Sequence, residues 1–430
     1  MKPESQHYAG SFLLQCAMML GMTLVPFFTF EHLGGQERAA AIVYGVQTLS
    51  LGAICMVSAS FVSTFRNALT WCLVGICGFG VFYAAGMFAH NPAVFCVLTG
   101  IAMAFFALAW PALQSWLGAQ PDSKLRMKSF SRFNIAIGLG LTAGPLIAGV
   151  IYQVDYRLAF VSVLVLSAAA AVLIAKLPRE QEYFARYPSS TESGTTSNDE
   201  AEIKRSDPDE IYLYCGWLMN ILGWGLTGAV RVVYARQLDD LVREGRLVLL
   251  SDKFALHVFR ASGGVSAATI YSWMQTVLSL GYFLVILLMG RTTRWQHQLW
   301  ILVASQVLLG VGIWRLAGSH SLLVIAACHA VMGGYTGFAY MSSQCYSSAN
   351  SLLKHKRIAL NEGLSNLNSF VMPLVFAQFA VWYGTAWPFK NTPYFLCAFV
   401  ALQILSLRYA KRKLAVGALP IPETSRAISV

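Results

Sequence analysis

The chain has 430 residues, 56% of them hydrophobic and only 12% charged, with a formal charge of +11. Soluble domains place about a quarter of their residues in the charged classes, so this composition excludes an ordinary soluble protein. The nine cysteines fall inside apolar segments and show neither Cys-x-x-Cys nor Cys/His spacing, which argues against a disulfide framework and against a metal site.

Residues 1–10 lack the basic start and small-residue cleavage site of a secretory leader, so the first apolar run is read as a retained span. Span-length apolar stretches follow at 11–30, 40–62, 69–89, 93–117, 132–152 and 157–177. After a polar interval they recur at 211–235, 265–289, 298–316, 320–345, 358–383 and 392–410. A bilayer core about 30 Å thick takes about 20 residues of helix, and lipid offers unpaired backbone groups no partner. The expected fold is therefore an all-α polytopic membrane protein of 12 transmembrane helices. Residues 1–178 form an N-terminal six-helix bundle, 211–415 a C-terminal one, and 416–430 a tail. Residues 179–210 mix acids with a Ser/Thr run and read as a flexible linker. Residues 237–264 form an outer loop whose LDDLVREGRLVLL run sets Leu238, Leu241, Leu247 and Leu250 among charges, the pattern of a short interfacial or capping helix.

Basic residues crowd one set of short loops: Arg66, Lys124, Arg126, Lys128, Arg132, Arg291, Arg294, Lys354, Lys356, Arg357 and the cluster ending at Lys413. The opposite loops hold Arg38, Arg157, Arg315 and Lys390. Lys and Arg stay preferentially on the cytoplasmic side, so both termini are expected inside a plasma (inner) membrane. This topology accounts for the positive charge, and no nucleic-acid partner is implied.

Span five is the most specific segment. Gly140, Gly144 and Ala148 recur every four residues, placing small side chains on one helix face where a neighbouring backbone can come close. Pro145 and Gly149 complete a GxxxGPxxxG-like run. Within other spans, ionisable groups are costly enough to be candidates for function. His329 admits two readings, proton exchange or a neutral ring bonded within the bundle. Arg231 either faces a cavity, where it would hold a carboxylate or phosphate, or snorkels outward. Glu362 reads as a latch at the cytoplasmic end, bonding a base such as Arg66, with proton coupling as the other reading. Uncharged cavity candidates are Gln15, Gln47, Trp110, Gln114, Asn134, Asn220, Tyr271, Gln275, Tyr335, Tyr340 and Gln344. Such residues either bind a polar solute or join helices.

With the span-five run and the two six-span halves, the chain resembles the major facilitator superfamily. The halves also echo one another: PLIAG after Gly144 lines up with PLVFA from Pro373. The resemblance implies a secondary transporter that moves a small solute by alternating access, as a monomer in the lipid bilayer, coupled to protons or another ion. It also implies gating and packing roles for Arg66, Gly140, Gly144, Pro145, Gly149, Gly290, Arg291, Arg294 and Pro373. The family's loop between helices two and three carries an acid that SASFVSTFRNALT lacks, since only Arg66 remains. This departure leaves a non-transporting receptor or assembly module as the alternative. No Ser/His/Asp, paired-Asp or metal cluster falls within the spans, so neither an enzyme nor a cofactor is expected.

Overall fold

The computed structural model describes residues 3–61, 68–118, 123–178, 208–248, 266–292, 294–348 and 354–417. Over these residues 12 helices are long and apolar enough to cross a bilayer. The first six are α1 (Pro3–Glu31), α2 (Glu37–Phe61), α3 (Ala68–Ala85), α4 (Pro92–Gly118), α5 (Ser123–Val154) and α6 (Tyr156–Ala175). α7 runs Pro208–Ala229, passes through a π-helical turn at Val230–Tyr234 and ends as Ala235–Arg243. Then come α8 (Ala267–Met289), α9 (Leu299–Gly318), α10 (Leu322–Ser348), α11 (Lys354–Tyr383) and α12 (Trp387–Gly417). An even number of crossings puts both chain ends on one face, called here the terminal face; the opposite one is the far face.

Local chemistry sets several boundaries. Asp155 caps α6 by accepting from the Arg157 backbone N–H at 2.8 Å, and Ser266 caps α8 by accepting from Thr269 at 3.2 Å. Gly384 turns the chain between α11 and α12 at a φ of 91°, a conformation that favours glycine. α1 starts at Pro3, earlier than the apolar run, because its first turns are protected by protein. His7 Nε2 lies 2.9 Å from the Leu113 carbonyl, and the Ser11 hydroxyl donates to the His7 carbonyl at 2.8 Å.

The described part of the 237–264 loop contains a short helix with apolar and charged faces. Ala235–Arg243 continues α7, and Leu238, Leu241 and Leu247 are buried in protein rather than laid on lipid headgroups. The Gln237 amide donates to the Ala317 carbonyl at 2.9 Å, and Val248 bonds the α9–α10 connection. Leu250, the linker through residue 207 and the tail from 418 lie outside the described residues.

Helix pairing repeats between the halves. α1 packs on α5 and α6, α2 on α4, and α3 on α4 and α6; likewise α7 packs on α11 and α12, α8 on α10, and α9 on α10 and α12. The halves meet along two long seams, α2 against α11 and α5 against α8, which exchange under the same six-helix shift. A two-fold repeat of this kind follows when both halves solve one packing problem with similar patterns of small and large residues.

The span-five glycines hold the first half together. A Cβ at Gly144 would fall 2.6 Å from the Cys16 carbonyl oxygen, and one at Gly140 would fall 2.7 Å from that of Phe12. Both would drive α5 away from α1. Gly149 serves the seam instead, since its Cβ would meet the Thr269 backbone at 2.5 Å. Gly144→Val is therefore expected to destabilise the protein by about 1–3 kcal/mol. Thermal unfolding in detergent should show a lower Tm, whereas Leu139→Val, at an exposed site on the same helix, should leave it unchanged.

Candidate functional site

Where the halves meet at the far face, polar side chains bolt them together. Arg231 sits on the π turn of α7 and is 6% exposed. Its Nε donates to Gln275 Oε1 on α8 at 3.3 Å, and its Nη1 donates to the Tyr44 hydroxyl on α2, in the other half, at 3.3 Å. A π turn breaks the regular backbone ladder, and the Arg231 carbonyl accepts the Tyr271 hydroxyl at 2.6 Å. Phe27 of α1 covers Tyr271 at 5.4 Å between ring centres. Among the described residues no carboxylate pairs with Arg231.

Arg236 repeats the pattern nearer the surface. Its Nε lies 3.4 Å from Glu37 on α2 and 3.5 Å from Asp240, its Nη1 lies 3.5 Å from Asp239, and its guanidinium sits over the Phe30 ring of α1. On the other seam, the Thr269 hydroxyl lies 2.8 Å from Gln153 Oε1 and 3.0 Å from the Gly149 carbonyl. The cross-half bonds named here gather at the far face.

Toward the terminal face a different group of side chains comes together. Gln344 on α10 donates to Glu362 Oε1 on α11 at 2.7 Å. Glu362 lies close enough to Tyr282, Tyr340 and Cys55 to interact electrostatically with each. Tyr282 and Tyr340 have ring centres 6.0 Å apart, and Trp224 approaches Tyr282 at 6.1 Å. Glu362, Tyr282 and Tyr340 are each partly buried.

The sequence candidates divide accordingly. Tyr340, Gln344 and Glu362 come together in the second half. Arg231, Tyr271 and Gln275 form the far-face bolt, so the snorkelling reading of Arg231 is corrected: its head turns inward to partners. Asn220 joins α7 to α11 through Ser365 at 2.8 Å and Asn361 at 3.3 Å, and Tyr335 donates to the Met219 carbonyl at 3.4 Å. Gln15 and Gln47 are buried within the first half, the former against Gly140 and the latter beside Tyr83. Trp110 packs on Phe106 and Phe133, while Asn134 is exposed. Neither joins the Glu362 group.

His329 is fully buried, with Nδ1 2.8 Å from the Ile325 carbonyl and its ring 5.4 Å from Tyr234. Both contacts lie within the second half. Arg291 and Arg294 are exposed and, among the described residues, unpaired; Trp295 anchors their loop by donating to the Met289 carbonyl at 3.2 Å, and Gly290 precedes it. Pro145 is buried within α5, and Pro373 packs against Gly228. Arg66 and the Gln114 side chain lie outside the described residues, and the bond of Glu362 to Gln344 stays within its own half. The sequence reading missed Tyr44, Tyr282 and the Glu37–Arg236 pair. Charges bounding spans two and seven on one side were the available signal for that pair.

A family model described as Major Facilitator Superfamily matches residues 8–239. Among curated proteins none matches the sequence. Among solved structures, the nucleoside transporter NupG is similar with a TM-score of 0.66 at 12% identity, covering 96% of this chain and 99% of that one. A peptide transporter POT in complex with sulfate reaches 0.70 at 12% identity, covering 96% and 95%. A POT family transporter in complex with 5-aminolevulinic acid reaches 0.69 at 10% identity, covering 95% and 96%. At such identities the likeness is one of fold.

The far-face bolt predicts a measurable opening when it is cut. Thr227 is buried one turn before Arg231; in a background with the native cysteines replaced, Thr227→Cys should react slowly with a membrane-impermeant maleimide. Adding Arg231→Ala should raise that rate about tenfold, as expected for losing about 1.5 kcal/mol of charge-assisted bonding.

Proposed function

The chain belongs to the major facilitator superfamily and is a secondary membrane transporter of a small solute, and from that premise we propose how it works. The protein spans the plasma (inner) membrane with both termini in the cytoplasm, which the basic residues of the terminal-face loops support. The solute occupies the space between the halves beside Glu362, Gln344 and Tyr340, and the halves rock about the two seams so that the site opens to one side at a time. In the conformation described here the far face is the closed one. One observation carries this reading: Arg231–Tyr44 and Arg236–Glu37 tie the halves at the far face, while the Glu362 group lies toward the other end.

Glu362 is the group we assign to ion coupling. A carboxyl within a span must change partners or take up a proton when its surroundings change, and its partner here is an amide of the same half, free to stay with it as the halves move. His329, enclosed by its own bundle, takes no part.

Solute screening by thermal shift followed by counterflow in proteoliposomes tests the reading. A solute at a hundred times its Kd stabilises the folded state by about 2.7 kcal/mol, enough to raise Tm by several degrees. A solute found this way should be carried, and Glu362→Gln should abolish its accumulation under a pH gradient. Folded protein that shows no flux under any gradient would instead assign the scaffold a receptor role.

A further inference from the structure

Resting on the transporter reading above, the residues around Glu362 also carry information about the kind of solute. Glu362 is an acid inside a span whose only described partner is an uncharged amide; among the described residues no Lys, Arg or His pairs with it. Gln344 engages Oε1, and among the described residues nothing bonds Oε2. Three aromatic rings stand in sequence beside this carboxylate: Tyr340 and Tyr282 at 6.0 Å from one another, then Trp224 at 6.1 Å from Tyr282. All three are partly buried rather than enclosed.

A cation satisfies both features at once. The ring faces carry negative quadrupole potential that attracts an ammonium group within about 6 Å, most strongly when water is excluded, and the carboxylate supplies the compensating charge and a charge-assisted hydrogen bond. Among the described residues no cation pairs with this acid to receive an anion, and Arg231 is held by Gln275 and Tyr44 at the far face. A neutral solute would meet Glu362 only after the carboxyl had taken up a proton. We infer that the site bounded by Glu362, Gln344, Tyr340, Tyr282 and Trp224 binds an organic cation, an amine or quaternary ammonium carrying an apolar group that lies along the rings.

The test compares three probes that share one ring and differ in charge: benzylammonium, benzyl alcohol and benzoate. Binding to the full-length protein in detergent is measured by titration calorimetry, and uptake of each labelled probe is measured in proteoliposomes. Benzylammonium should bind at least tenfold more tightly than either of the others, and Glu362→Gln should erase that preference. Tyr340→Leu and Tyr282→Leu should each weaken benzylammonium by about 3- to 30-fold, and Tyr340→Phe, which keeps the ring, should restore most of the affinity. Gel filtration and Tm establish that each variant is folded. If a variant does not fold, the selectivity of the wild-type protein among the three probes decides alone.

Benzoate or benzyl alcohol binding as tightly as benzylammonium, or no probe binding, would overturn the cation assignment, as would unchanged preference in Glu362→Gln. Uptake separates this inference from the reading beneath it. Selective benzylammonium binding without any uptake would sustain the site and count against transport, whereas preferential uptake of the neutral or anionic probe would sustain transport and defeat the cation class.

Discussion

Lipid cannot hydrogen-bond a peptide group, and nearly everything in this fold follows from that deficit. Each crossing closes its own backbone bonds as a helix, and long polar excursions are confined to the connections. Because lipid tails are as apolar as leucine, burial between helices supplies little drive, and association rests on close packing and on polar bonds between helices. The α1–α5 contact shows the first device, with Gly140 and Gly144 set against the carbonyls of Phe12 and Cys16. The second appears in Asn220 with Ser365 and in Gln306 with Gln403, where side-chain amides and hydroxyls join neighbouring helices.

Charge obeys the same accounting. An ionised group deep in a span is retained only where a partner, water or a function offsets its desolvation. Arg231 meets neutral acceptors, one of them across the joint between halves, Arg236 shares three carboxylates from both halves, and Glu362 accepts from the Gln344 amide. Two of these groups hold a surface that must part during transport. Bonds that are adequate but not strong suit that position, since an exposed ion pair contributes about 0–1 kcal/mol and a stronger clamp would favour one conformation alone.

The seams α2–α11 and α5–α8 supply the complementary requirement of permanence. Along α2, Gly45 meets Phe370 and Gly52 meets Asn366, so the backbone of one half rests directly on side chains of the other. Glycine on one side of each such contact lets the two halves approach closely along the seams.

Much of this architecture was legible from the chain alone. The number of crossings, their division into halves, the face crowded with basic residues and the glycine stripe of α5 depend on local length, composition and period, which a linear reading captures. The rotation of each helix about its axis, and hence the partners of its polar residues, does not. Arg231 and Tyr44 lie 187 positions apart, and the continuation of α7 past Arg231 through a π turn carried Leu238 and Leu241 into protein rather than onto the membrane surface. That Gln344 of α10 donates to Glu362 of α11 is decided only by how those two helices pack. Tertiary structure thus assigned the polar residues their roles, since those roles rest on contacts between distant segments that no local pattern encodes.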